Sequence, residues 1–438
     1  MTSQLAYKET FDCVQCGYCL PACPTYASMG KERHSPRGRI NLVQMAAEGK
    51  ITIDEITESL ELCLGCRACE TACPTNVQYG KILESFKQVK RAEAPSPFVE
   101  NMALQKALPN KKLLAAMRAS LRAYQKTGLD SIARKSKALG ILPEQLRAFE
   151  EIAPAVEMPN KQLRTGILLP EREPKARVAF FTGCIMDVFF AKINDLSIKL
   201  LQHAGCEVTV IKEQTCCGAL QNHSGDTGTS RKLAKENIAA FEKGNFDYVV
   251  NAIGGCGAML VEYDHLLAED PEWAERARVF AQKNKDVSVI LNKLGISFTR
   301  ELSGAVTYQP SCHLLNVQKV AEDPVQLLES IPGITYVPLP KGDMCCGSAG
   351  IYNIVHYEES MEILDAKMEQ VQSISPDTIV TSNPGCHLQM CLGVKREGLE
   401  DKVRVVHIIE ILAEACGIDR SLTGSKTSAS RLRGITGE

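Results

Sequence analysis

Apolar positions keep helical spacing through the first 175 residues, then alternate between helical and strand-like stretches. Ile40, Leu42, Val43, Met45 and Ala46 follow Ser35-Pro36, and a serine cap with proline at the first helical position is a helix entry. Within KKLLAAMRASLRAYQK, Leu113, Met117, Leu121 and Tyr124 fall on one helical face and Arg118 and Arg122 on another. That pattern predicts a bridging helix with a solvated basic face. From residue 176, the runs VAFFTGC, FDYVVNAIGGC, AVTYQPSC and PDTIVTSNPGC are rich in β-branched or aromatic residues and are separated by helical text. Alternation of this kind predicts parallel α/β sheets. Residues 419–438 are rich in Ser, Thr, Gly, Lys and Arg, and a disordered tail is expected there.

Cysteine spacing adds chemistry to this outline. Cys13-x-x-Cys16-x-x-Cys19-x-x-x-Cys23-Pro24 returns intact as Cys63-x-x-Cys66-x-x-Cys69-x-x-x-Cys73-Pro74. In runs of this type the first three thiolates hold one 4Fe–4S cluster and the fourth crosses to the other. The expected ligand sets are Cys13, Cys16, Cys19 and Cys73 for one cluster, and Cys63, Cys66, Cys69 and Cys23 for the second. Two residues between thiolates let the backbone wrap a cubane corner with its N–H groups toward anionic sulfur, and Pro24 and Pro74 end each turn. Structural zinc, which also uses paired C-x-x-C units, is the rival. Thirty-nine residues separate Cys23 from Cys63, more than a compact β-rich ferredoxin uses, so residues 1–90 read as an α-helical ferredoxin-like domain. Arg37 and Arg39 either offset an anionic cluster or lie on the surface at a helix start.

Residues 91–175 form a helical connector without cysteine, and residues 101–147 hold ten Lys or Arg against Asp130 and Glu144 alone. Besides bridging, such a segment suits an acidic partner or anionic lipid. An internal repeat then organises residues 176–300 and 301–418. Cys184 to Cys312 is 128 residues, Cys217 to Cys346 is 129 and Cys256 to Cys386 is 130. Loops leaving the carboxyl ends of parallel strands gather at one crevice. The first half should converge Cys184, Cys216, Cys217 and Cys256, and the second Cys312, Cys345, Cys346 and Cys386. Gly218, Gly255, Gly347 and Gly385 allow close backbone approach beside them. Zinc remains a rival in either half. Cys206, Cys391 and Cys416 lie off the repeat and read as structural, while His313 and His387 either tune a cluster by hydrogen bonding or fill a polar loop.

Global properties narrow the class. A chain of 438 residues with net charge −2 and 5% aromatic content gives no sign of nucleic-acid binding. Nineteen cysteines, an odd count, and a start without a secretory pattern predict reduced thiols in the cytoplasm. Even VAFFTGCIMDVFFAKI is broken by Gly183, Asp187 and Lys192, so no transmembrane segment is expected and any membrane association is peripheral, at the inner face of the cell membrane. No G-x-G-x-x-G follows a predicted strand, so no dinucleotide-binding fingerprint is read here.

Residues 177–416 resemble a tandem pair of cysteine-rich CCG domains, as in the heterodisulfide reductases and the iron–sulfur subunits of flavin dehydrogenases. The strings CGYCLPACPTY, SPRGRINLVQ, TCCGALQNHSG, GGCGAMLVEY and CCGSAGIYN most resemble the glycolate oxidase iron–sulfur subunit family. The iron–sulfur subunit of anaerobic glycerol-3-phosphate dehydrogenase and the lactate-utilisation proteins are similar. The resemblance implies an α/β fold class, with an N-terminal α-helical ferredoxin domain and two tandem parallel α/β CCG domains. It implies two 4Fe–4S clusters, one or two further Fe–S clusters in the CCG halves, and FAD only in a partner flavoprotein subunit. Electrons from a 2-hydroxy acid such as glycolate would pass through this chain, which has no catalytic residue of its own, toward a quinone or other acceptor. The full CCG pattern ends in C-x-x-C, whereas Met259 and Gln389 occupy the last positions here. Four thiolates per half suit a cubane or partly coordinated cluster better than disulfide-cleaving chemistry. The alternatives are a CCG cluster acting directly on a quinone or disulfide, a zinc-filled assembly scaffold, and an iron–sulfur subunit of a lactate or glycerol-3-phosphate dehydrogenase.

Overall fold

The computed structural model describes residues 4–94, 97–136 and 138–418; the tail expected to be disordered, 419–438, lies outside the described residues. Helix Pro36–Ala47 begins where its sequence signal lies, with the Ser35 hydroxyl accepting from the Gly38 N–H at 3.0 Å. Helix Ile53–Glu61 opens on a reciprocal Thr52/Glu55 cap. Their apolar faces close on helix Tyr79–Glu93 around Ile40, Val43, Ile56, Leu60, Ile82 and Phe86. Each such side chain contributes about 1.5–3 kcal/mol on burial. Cys13, Cys63, Cys69 and Cys73 pack on one end of this small core, so the helices form a seat for both cysteine runs.

The connector contributes helices Phe98–Met102, Lys111–Lys126, Leu129–Lys135 and Glu144–Glu151. The solvated basic face expected of Lys111–Lys126 fails at Arg118, although Lys111, Lys112 and Lys126 are exposed and Leu121 and Tyr124 are half-buried. Leu113 and Met117 face solvent, whereas Arg118 is buried. Its Nη1 donates to the Asp187 carbonyl at 2.7 Å and to the Asp187 carboxylate at 2.9 Å. Arg164 and Asn194 also donate to that carboxylate. These contacts hold the Arg118 guanidinium inward although its Nε is left without a partner among the described residues.

The remainder folds as two α/β halves. Strands β1 (Ile167–Leu168), β2 (Ala176–Phe180), β3 (Cys206–Val210), β4 (Tyr248–Asn251) and β5 (Asn284–Asp286) form one sheet in the order β1-β3-β2-β4-β5, parallel except for β1. Strands β6 (Gly304–Gln309), β7 (Ile334–Tyr336), β8 (Thr378–Thr381) and β9 (Arg404–His407) form a fully parallel sheet in the order β7-β6-β8-β9. Setting β1 aside, the two orders are the same, as the cysteine repeat requires. The halves share one continuous core: Val178, Leu196 and Leu200 of the first belong to the same buried cluster as Val306, Leu327, Ile408 and Leu412 of the second. Among the described residues no helix is long and apolar enough to cross a membrane.

Candidate iron–sulfur centres

The doubled cysteine run surrounds two cavities. Cys13, Cys16, Cys19 and Cys73 line one, together with Arg37. Cys23, Cys63, Cys66 and Cys69 line a second, with Arg39, Arg67 and Tyr79. The fourth cysteine of each run lies in the other run's cavity, and Cys69 and Tyr79 form part of the wall between them. Cys16 is exposed, with Val14 and Tyr18 beside it equally open. Cys23 and Cys66 of the second cavity are buried.

Backbone conformation turns donors toward sulfur. Gln15 and Gly17 in the first run, and Gly65 and Arg67 in the second, all have positive φ. The two loops therefore share one alternating conformation although their glycines stand at different places. Gly65 N–H points at Cys63 Sγ (3.4 Å), Val77 N–H at Cys73 Sγ (3.5 Å) and the Tyr79 hydroxyl at Cys63 Sγ (3.5 Å). Thr25 and Thr75, each two residues beyond its run's last cysteine, bring hydroxyls to 3.3 and 3.4 Å from Cys23 and Cys73. Burial pushes the Cys66 and Cys69 thiols well up, and neighbouring thiols add to it. Burial works the same way on Cys73, but hydrogen bonds from Thr75, Val77 and Asn76 leave that thiol below its ordinary value. Four sulfur anions so close together need a cationic core, which a cluster's iron supplies; the donor set fits one.

Arg39 is almost fully buried. Its Nε donates to Ser59 O (2.6 Å) and Nη2 to Thr25 Oγ1 (3.0 Å), while Nη1 lies 3.9 Å from Cys23 Sγ. Burial opposes its charge, but Cys63, Tyr79 and Cys23 more than compensate and push its pKa further up. The surface reading fails for Arg39. Arg37 is bound to Glu32 (2.7 Å) and the Gln15 carbonyl (3.0 Å) at the mouth of the first cavity.

In each CCG half the four expected cysteines come together. Cys184 Sγ lies 3.6 Å from Cys216 Sγ, and Cys217 Sγ 3.3 Å from Cys256 Sγ. The second half pairs Cys312 with Cys345 and Cys346 with Cys386 in the same way. Adjacent cysteines thus face different partners. Gly218 and Gly347 have φ of +88° and +93°, and an added Cβ would strike Ser230 or Ser360 at 2.8 Å. Met259 is buried in the first half's core. Gln389 accepts from Asn353 and donates to Ser360, both at 3.0 Å. Neither aims a donor at sulfur. His313 Nδ1 lies 3.5 Å from Cys312 Sγ, with its pKa pushed down to about 4 by burial and by Arg67 and Lys87. His387 turns away, toward Phe190 and Thr381. Cys206 and Cys416 sit in the shared core, and Cys391 is on helix Pro384–Arg396.

Contacts across the domains bring these sites near one another. Cys66 packs in one buried cluster with Cys312 and Cys345. Asn316 donates to the Cys66 carbonyl (2.9 Å) and accepts from the Thr71 hydroxyl (3.0 Å). Arg67 joins Glu70 at 2.6 Å and pairs with Glu262 of the first half. Asn222 donates to Glu84 at 2.9 Å, a carboxyl pushed up to about 7 by burial and by Glu262. The halves meet where Asn383 Oδ1 accepts from Gly255 N–H (3.1 Å) and where the His223 and His313 rings lie 5.6 Å apart. Sequence reasoning missed Arg67, Asn316 and Tyr79. The recurrence of Thr after Cys-Pro in both runs was a usable signal for Thr25 and Thr75.

Known families match the chain along most of its length. Residues 9–77 match the 4Fe-4S dicluster domain, residues 95–153 the linker region of the glycolate oxidase iron-sulfur subunit, and residues 178–261 and 306–391 the cysteine-rich domain CCG. The chain is 48% identical over 419 residues to the probable glycolate oxidase iron-sulfur subunit of Bacillus subtilis (strain 168), covering 93% of this chain and 94% of that protein. It is 29% identical over 414 residues to the glycolate oxidase iron-sulfur subunit of Escherichia coli (strain K12), covering 92% and 93%. Lactate utilization protein A of Oceanobacillus iheyensis is 36% identical over 238 residues, 54% of this chain and 96% of that protein.

Proposed function

The chain belongs to the glycolate oxidase iron–sulfur subunit family, and from that premise we propose that it is the electron-transfer subunit of a flavin-dependent 2-hydroxy-acid oxidase. The flavin would sit in a partner subunit that oxidises glycolate, and a quinone is the proposed acceptor. In this reading Cys13, Cys16, Cys19 and Cys73 hold one 4Fe–4S cluster, and Cys63, Cys66, Cys69 and Cys23 a second. Cys184, Cys216, Cys217 and Cys256, and Cys312, Cys345, Cys346 and Cys386, hold further Fe–S clusters. Bound clusters supply one-electron transfer. The chain's own residues space the centres, exclude water and direct donors at sulfur.

The observation that carries the reading is the packing of Cys66 against Cys312 and Cys345. It joins the dicluster domain to the second CCG half, and the Asn383–Gly255 contact joins that half to the first. The open cavity at Cys16 would be one end of the line, suited to exchange with a redox partner.

The test uses Cys66→Ser in the complex with its flavoprotein. Stopped-flow absorbance should show flavin reduction by substrate at the normal rate and loss of electron transfer to an external acceptor. Loss of flavin reduction itself would overturn the division of labour. Anaerobic protein should carry about twelve or sixteen irons, since about eight would fill only the dicluster domain; zinc in their place would favour a scaffold.

A further inference from the structure

The halves repeat their backbone, but one position beside the adjacent cysteines differs in charge. Helices Thr227–Phe241 and Tyr357–Ile374 stand in equivalent places. In each, a serine hydroxyl donates to the carbonyl of the glycine after the cysteine pair: Ser230 to Gly218 (3.2 Å) and Ser360 to Gly347 (3.0 Å). Two helical turns further along the same face stand Asn237 and Lys367.

The first half is neutral there. Asn237 donates to Cys216 O and contacts the Tyr263 hydroxyl, both at 3.0 Å, and Tyr263 donates to Cys217 O at 2.8 Å. The counterpart of Tyr263 is Gly393, and Met368 fills the space a side chain would take. Lys367 is only 1% exposed. Its ammonium donates to Lys341 O at 2.9 Å and forms no ion pair among the described residues. One carbonyl meets one of its three donors, and an unbalanced buried ammonium is destabilising. The groups that favour its charge are Cys346 and Cys345, then Asp343 and Cys386. Burial acts against its charge and those groups act for it.

We propose that Lys367 sets the reduction potential of the cluster in the second CCG half, so that this centre accepts an electron at higher potential than the centre of the first half, where the matching residue is neutral Asn237. The inference rests on the reading that both halves hold clusters. Reduction adds one electron and one negative charge to the centre without moving a proton or breaking a bond. A fixed cation beside it favours the reduced form.

Potentiometric titration of the full-length, anaerobically purified protein, followed by EPR with iron counted in parallel, tests this. Lys367→Gln should keep its iron and shift one midpoint to lower potential by at least a tenfold change in reduced-to-oxidised ratio, about 59 mV for a one-electron couple. The other signals should stay in place, and Lys367→Arg should return the shifted signal toward its original position. Full iron with an unchanged midpoint overturns the proposal. If Lys367→Gln sheds the centre, retention by Lys367→Arg supports the charge, and equal loss in both overturns it in favour of packing. An unsubstituted protein with about eight irons would overturn the cluster reading itself, and the iron count separates that failure from a failure of Lys367 alone.

Discussion

Arg39 carries a positive charge with almost no water to solvate it, and its partners explain how. Ser59 O and Thr25 Oγ1 take two of its donors, and Cys23 Sγ lies near a third. Replacing it with Met should destabilise the dicluster domain by on the order of 3 kcal/mol, read as a fall in chemical denaturation midpoint. Arg39→Lys should recover less than half of that, because one ammonium cannot span both partners; full recovery would show that charge alone matters. The sequence placed Arg39 at a helix start and left open whether it faced sulfur or solvent. Spacing gave the turn, and only the packing of helices Pro36–Ala47 and Ile53–Glu61 gave the direction. Gln15 and Arg67 were less legible still, since left-handed backbone in a cysteine loop announces itself only where glycine occupies it. Lys367 did leave a trace: it falls on the buried stripe with Leu364, Met368 and Val371, where a charge needs a reason.

At the level of elements, helix Lys111–Lys126 shows why apolar periodicity misleads in a charged segment. Leu113 and Met117 define a face by pattern, yet Asp187, three residues after Cys184, draws Arg118 inward and leaves those two exposed. Arg118→Ala should cost about 2 kcal/mol and speed amide exchange in helix Ile185–Phe189. Unchanged exchange there would mean that Arg164 and Asn194 suffice to anchor Asp187. The strands that run into a cysteine loop, β2, β4, β6 and β8, were readable from their β-branched content. β5 was not, because Asn284-Lys285-Asp286 has no apolar residue. Its place at the sheet edge is secured by side-chain amides, with Asn251 donating to Asn284 (3.2 Å) and Asn284 to Gly257 O (3.1 Å).

Across the whole molecule, the repeat was visible in the numbering of cysteines, but the common core between halves was not, because pairing of helix faces across two domains has no local signature. That core predicts unequal responses to loss of iron. Chelation should speed amide exchange across residues 13–23 and 63–73, whose loops rest on a small helical core, while central strands β2, β4, β6 and β8 keep their protection. Simultaneous loss of protection in those strands would contradict this. A further consequence follows from the grip of Asn316 on the Cys66 loop. Two separate carriers must meet by diffusion, and their rate depends on dilution and ionic strength. A step spanned by hydrogen bonds within a single polypeptide is first order, so neither variable can throttle it; such sensitivity belongs to the outer ends of the relay.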